Sequence, residues 1–222
     1  MIQPRNVIRR YTSIPAVIDM LRSRELTLVD PAAWDDRNDR YFMELYKEAR
    51  KLGGLYAACA ATGPETYHHW RVFTTAADGA CVEIFREPLE NALKSIPEAS
   101  FGEVDYLRLD QVEQLTEAHL KDLPFFKRVA FQPEQEYRIV IETSQPQNVV
   151  IGLELPLAWI GRILLNPWLP ERVAQSVKTT FQELEGCENL IVERSHMIEN
   201  ARWKRAGEVV IGVRPPKRTR KQ

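Results

Sequence analysis

Apolar and polar positions along this 222-residue chain fall into stretches of period two and of helical spacing, and the switches between them mark its elements. Residues 7–11 and 26–29 read as short strands. Between them Ile14, Val17, Ile18 and Leu21 share one helical face, with Ser13 placed to cap and Pro15 suited to the first turn. A loop from Pro31 to Asp39 leads into a helix predicted over 40–51. Residues 54–59 and 80–85 are small and apolar, as interior strands are, and a short helix is predicted between them at 66–73. Further helices are expected over 88–95 and 109–120, around a strand near 104–107. Residues 135–142 and 149–153 pattern as an antiparallel pair. The stretch 160–165 is a strand stopped by Asn166-Pro167, and 171–184 is the clearest helix, with Val173, Val177, Phe181 and Leu184 on one side. Strands at 190–193 and 209–213 complete the set.

This order lacks the regular strand–helix alternation of a doubly wound fold. It predicts an α+β fold with a split or strongly curved mixed or antiparallel sheet and helices packed around it. No repeat or linker divides the chain, so 1–213 is expected to form a single domain, with 214–222 as a basic tail. Gly53-Gly54 precedes a strand instead of opening a helix, which argues against a glycine-rich phosphate loop.

Composition narrows the setting more than the activity. Hydrophobic residues make up 44%, enough for a substantial core, and a formal net charge of -1 gives no global pull toward nucleic acid. The exception is the tail from Arg214 to Gln222, which could meet phosphate or serve as a solubilising end. Cys59, Cys81 and Cys187 lie far apart in apolar surroundings, as buried thiols do in a reducing compartment. No stretch approaches a membrane span, so the expectation is a cytoplasmic protein without a membrane partner. The sequence is compatible with a homo-oligomer.

The segment 131–141 carries the most pointed chemistry. As a strand it puts Glu134, Glu136 and Arg138 on one face, with Gln135, Tyr137 and Ile139 opposite. Two carboxylates so close repel unless a cation, a ligand or water separates them, so one can carry a raised pKa or hold a polar substrate. The plainer reading is a solvated face on which Arg138 neutralises a neighbour. Lys127, Arg128 and Arg138 could accept a phosphate or simply balance Glu134 and Glu136. Adjacent His68 and His69 point in different directions, so a chelating pair is not expected. Trp70 and Phe73 read as packing residues. Asp35, Asp36 and Asp39 could approach magnesium, but capping the next helix or pairing with Arg37 suits them better, and no metal is expected.

Several of these blocks occur in an order that resembles the bacterial family catalogued as domain of unknown function 2971. They are Arg10-Tyr11-Thr12-Ser13, Glu25-Leu26-Thr27-Leu28, the loop Trp34 to Asp39, and Trp70 through Phe85. Lys127, Phe131, Glu134, Glu136 and Arg138 follow, and then the strand–helix–strand run from Ile160 to Ser195. The loop departs from the family pattern, with Trp34, Asp35 and Arg37 where phenylalanine, asparagine and proline are usual. The layout is also similar, more distantly, to the ADP-ribosyltransferase fold. That likeness implies that Arg10 or Arg9 on the first strand holds the phosphates or ribose of NAD. It implies that Glu136 contacts the nicotinamide ribose and supports an oxocarbenium-like state, while Glu134 orients an acceptor or acts as a base. Glu134-Gln135-Glu136 is similar to the paired glutamates of arginine-modifying enzymes, whereas Ala60-Ala61-Thr62 is a poor substitute for the fold's serine-containing middle strand.

The resemblance thus implies NAD as cofactor, Glu136 and Glu134 as the catalytic pair, and Arg10, Tyr11, Trp34, His69 and Arg138 as the NAD-contacting set. Tyr11 has a second reading as a core aromatic. The implied function is an NAD-using ADP-ribosyltransferase-like toxin or phage-defence effector acting on protein or nucleic acid. Two alternatives stand beside it: a non-catalytic nucleotide- or nucleic-acid-binding protein, and a structural or regulatory protein whose motifs only support the fold.

Overall fold

The computed structural model describes residues 6–74, 77–145 and 149–211; the tail read at 214–222 lies outside them. In chain order the elements are β1 Val7–Ser13, α1 Ile14–Ser23, β2 Glu25–Val29, α2 Arg37–Ala49, β3 Gly54–Ala61, α3 Tyr67–Phe73, β4 Gly79–Phe85 and α4 Arg86–Leu93. They continue with β5 Ala99–Glu103, β6 Asp105–Leu107, α5 Leu109–Val112, β7 Phe126–Arg128, β8 Glu136–Thr143 and β9 Val150–Glu154. The last are β10 Ile160–Leu165, α6 Glu171–Gln182, β11 Val192–Arg194 and α7 Ala201–Val210. Local chemistry sets many of the helix starts. Ser13 accepts from the Ala16 amide at 3.3 Å to cap α1, and Asp36 accepts from the Asn38 amide at 2.9 Å to cap α2.

Nine of the strands form one mixed sheet, and its split is visible in the pairing. One edge of β3 is fully laddered to β8, from Gly54↔Thr143 to Ala61↔Glu136. Its other edge is shared. There β1 meets it at Arg9↔Ala61, and β2 meets it four residues away at Val29↔Ala57. From those points β1 continues into β4, β10 and β11, and β2 into β9. The sheet therefore forks along β3. Only β10 and β11 run parallel within it; β6 and β7 make a separate parallel pair.

Both faces are covered. Val17, Leu21, Leu89, Leu93 and Phe181 from α1, α4 and α6 pack on Ile8, Val82, Ile84 and Ile139. On the other face α2 lays Met43 and Tyr46 against Leu55, Ala57 and Val140, and α3 lays Trp70 against Tyr11, Ala61 and Cys81. Each fully buried side chain of this size contributes about 1.5–3 kcal/mol of transfer free energy.

Four local expectations differ from the structure. Residues 129–134 form a 3-10 coil, and Gln135 sits in the left-handed region at φ 45°, ψ 53°. The strand therefore starts at Glu136, and Glu134 lies off it. β8 does not pair with β9: it is buried on both faces and lies between β3 and β5, whereas β9 pairs with β2. The helix expected over 109–120 is one turn followed by a 3-10 segment, Glu117–Phe125, because α5 has no buried face to hold it and Pro124 interrupts the ladder. Of the strand read at 209–213, residues 209 and 210 are helical, since Asn200 caps α7 by accepting from the Arg202 and Trp203 amides at 2.9 and 3.1 Å, and residues 212 and 213 lie outside the described residues.

Candidate active site at the fork of the sheet

Where β1 leaves β3, residues 58–60 of β3 lose their neighbour on that edge. Arg10 fills the opening: its Nη1 donates to the Cys59 carbonyl at 2.7 Å. By register Arg10 belongs to the row of Val82, on the main-core side, but at the fork it borders the same small cavity as Glu136. That cavity, of about 30 Å³, is also lined by Arg9, Tyr11, Cys59 and Phe73. It has room for roughly two waters. Beyond Glu136 opens a larger groove of about 560 Å³ between Thr62, Glu103, Tyr106, Gln132 and Gln135. Glu136 lines both spaces.

Behind this carboxylate lies a buried ionic cluster. Lys127 donates from Nζ to Glu134 at 2.6 Å and to Glu136 at 2.9 Å, and stands 3.7 Å from Asp39. Arg138 is fully buried; it donates to Glu136 Oε1 at 2.6 Å, to Asp39 Oδ1 at 2.8 Å and to the Pro124 carbonyl at 2.8 Å. Trp34 covers the guanidinium, 4.9 Å from ring centre to Cζ. With Arg10 nearby, three carboxylates face three cations, so the group is close to neutral as burial requires. The Glu136 amide donates to the Tyr106 hydroxyl at 2.8 Å, which fixes the backbone at the start of β8.

The two glutamates respond oppositely. Burial pushes Glu136 up, but Arg138, Lys127 and the Cys59 thiol more than offset it and hold the carboxyl down at about 2. For Glu134 burial outweighs Lys127 and raises its pKa. Burial also raises the Cys59 thiol well above its ordinary value, so it stays protonated and donates to Glu136. The two carboxyl groups are thus shifted in opposite directions although one lysine holds both.

The residues singled out in the sequence thus converge unequally. Arg10, Tyr11 and Glu136 line one cavity. Glu134 joins Glu136 through Lys127, although it is not on the strand. Arg138 and Trp34 lie behind the carboxylates, where the Arg138 guanidinium is already taken up by protein partners. Tyr11 is also a core aromatic, edge-on to Trp70 at 5.2 Å. Asp36 caps a helix and Asp39 pairs with Arg138; among the described residues no acidic, histidine and cysteine group is arranged to hold a metal ion. Sequence reasoning missed three members: Asp39 as the partner of Arg138, Cys59 and Tyr106. A signal for Asp39 existed, since it shares the i, i+4, i+7 stripe of α2 with Met43 and Tyr46 and is therefore an acid on an apolar face.

His69 backs the site from α3. It is fully buried, and its Nε2 lies 3.1 Å from the Glu134 carbonyl, which can only accept, so Nε2 carries the hydrogen. Burial holds the ring below its ordinary 6.5. Unfolded chains take up this proton near 6.5 while the folded ring stays neutral, so stability falls as pH drops below that value and levels off once the folded ring titrates. Urea unfolding at stepped pH between about 7 and 5 should show the decline, and His69→Gln should flatten it. An unchanged slope would trace the acid sensitivity to other groups.

No family model matches the chain, and no curated protein matches it. Solved structures of DarT from Thermus sp. 2.9 do match. Its complex with NAD+ aligns at TM-score 0.44 and 11% identity, covering 88% of this chain and 98% of that one. Its complex with ADP-ribosylated single-stranded DNA aligns at 0.45 and 12%, covering 86% and 94%. At these scores the likeness assigns no residue a role.

Proposed function

We infer that the chain is an NAD-consuming ADP-ribosyltransferase-like enzyme with Glu136 at its reacting centre. The observation that supports this most is the shared cavity at the fork, which Arg10, Tyr11 and the ionised Glu136 line together. A cavity of that size admits the neighbourhood of one reacting bond, not a nucleotide, so the body of NAD would lie in the adjoining groove. The nicotinamide–ribose bond breaks with its electron pair leaving on nicotinamide. The Glu136 carboxylate stabilises the positive charge left on the ribose, and Arg10, which lines the cavity but not the groove, donates to the ribose. The proton of the attacking acceptor group passes to water, because Glu134 is held by Lys127 and lines neither space. Arg138, Lys127 and Asp39 are positioning residues that hold the two glutamates. The acceptor is protein or nucleic acid, and a toxin or phage-defence role in the cytoplasm fits such an activity.

NAD turnover, with a mass-resolved search for adducts on protein and on single- and double-stranded nucleic acid, tests the reading. Arg10→Ala should weaken NAD affinity about 10- to 100-fold by calorimetric titration, as expected for loss of a charge-assisted contact. It also leaves the Cys59 carbonyl without its donor, so the midpoint of thermal unfolding falls and the titration is run where the variant is folded. No NAD affinity in the parent would end the proposal.

One observation favours a second reading. Both oxygens of Glu136 are already held by Lys127 and Arg138. A carboxylate so satisfied also suits a structural ion cluster, in a protein that binds a nucleotide or nucleic acid without turnover or that serves a structural or regulatory role. Binding without any release of nicotinamide would select it.

A further inference from the structure

Helix α7 stands apart from the rest of the protein: every residue from Ala201 to Ile211 is exposed. Its sequence is nevertheless amphipathic. Trp203, Ala206, Gly207, Val210 and Ile211 fall on one side, and Arg202, Lys204, Arg205 and Glu208 on the other, where Val209 is the one large apolar residue. Trp203 is 82% exposed, Val210 85% and Ile211 76%. A soluble surface seldom leaves large apolar side chains clustered in water unless something covers them.

The charge along the chain says what kind of partner this is. Of 30 Lys and Arg residues, eight lie after residue 200, against one of the 31 Asp and Glu residues. The segment 201–222 therefore carries +7, and residues 1–200 carry -8. A polyanion is drawn to this segment and repelled by the remainder. Nucleic acid would account for the cations and the tryptophan but leaves Val210 and Ile211 facing water. A second copy of the chain would account for the apolar stripe but brings two +7 segments together.

We propose that α7 is an interfacial element for an anionic bilayer surface. The helix lies flat, with Trp203, Val210 and Ile211 at the acyl boundary and its basic side toward lipid headgroups. Ten residues bury little apolar area, so binding needs both the apolar face and the charge. This is surface association; no helix among the described residues is long and apolar enough to cross a membrane. It is independent of the reading of the fork, because α7 contributes no residue to either space lined by Glu136.

Sedimentation of the full chain with vesicles tests it. Phosphatidylcholine vesicles containing about 30% phosphatidylserine should bind the protein, and phosphatidylcholine alone should not. Trp203→Ser with Val210→Ser, and separately Arg202→Gln with Lys204→Gln and Arg205→Gln, should each weaken binding about tenfold or more. Both sets alter exposed side chains, so unfolding midpoints should match the parent. Absence of binding to the anionic vesicles overturns the proposal. So does vesicle binding indifferent to the serine pair and matched by a single-stranded oligonucleotide, which would assign a general polyanion site. Light scattering that shows a dimer abolished by the serine pair would overturn it in favour of self-association.

Discussion

Replacing Lys127 with methionine should destabilise the protein by about 3–5 kcal/mol, the range for breaking a buried ionic contact from one side. Methionine nearly matches the lysine in volume, so the loss is electrostatic more than steric. The ammonium touches Glu134 and Glu136 and stands near Asp39, and no other lysine among the described residues shares those contacts. Without it the glutamates repel, and the folded state raises their pKa values. A raised carboxyl pKa means that the folded variant is penalised as pH climbs through the ordinary carboxylate range, and the penalty fades on acidification. Urea unfolding at about pH 7.5 and pH 4.5 should therefore show a large deficit at the higher pH and a smaller one at the lower. Disruption of the exposed Arg108–Asp110 pair should leave the midpoint unchanged, because solvent already screens it. A Lys127→Met protein as stable as its parent would mean that the cluster is not ionised as its geometry implies.

Glu136→Gln should lower NAD cleavage on the order of 100-fold, the size of one strong electrostatic contact to a developing charge. Burial makes the result ambiguous by itself: Glu136 is only 4% exposed and holds Arg138, so the variant loses stability as well. Asp39→Asn resolves this. Asp39 also holds Arg138 but lines neither the cavity at the fork nor the groove beyond it. Both variants should lose stability to a similar degree, while at a temperature where both are folded Glu136→Gln loses far more turnover than Asp39→Asn, which disturbs only the positioning of the carboxylate. Equal activities in the two would reduce Glu136 to a fold support.

The α+β class and the split sheet were legible because they depend on the order of elements, which periodicity reports well. Glu136 and Arg138 were legible for the same reason: period two places them on one face, and β8 keeps them there. Glu134 was harder. Its place near Glu136 is real, but it arises from a left-handed Gln135 and a shared lysine, and neither is encoded in an alternating pattern. Pairing of β8 with β3 and not with β9 was not readable, because sequence adjacency favours the nearer partner and only burial on both faces reveals an interior strand. Likewise Val209, Val210 and Ile211 have strand-forming side chains, but the Asn200 cap acts earlier in the chain and no strand lies beside them.

The ladder between β3 and β8 also governs when the fork can form. Arg138 meets Asp39 across 99 residues of chain, and Ala61 finds Glu136 only after the intervening helices and strands have been synthesised. Contacts of such span are closed late, since the entropy of a long loop is lost before its pairing is gained. The two sides of the fork's cavity are thus brought together only once β8, Glu136–Thr143, has been made, so a chain that stops before it holds Arg10 and Tyr11 without the carboxylate.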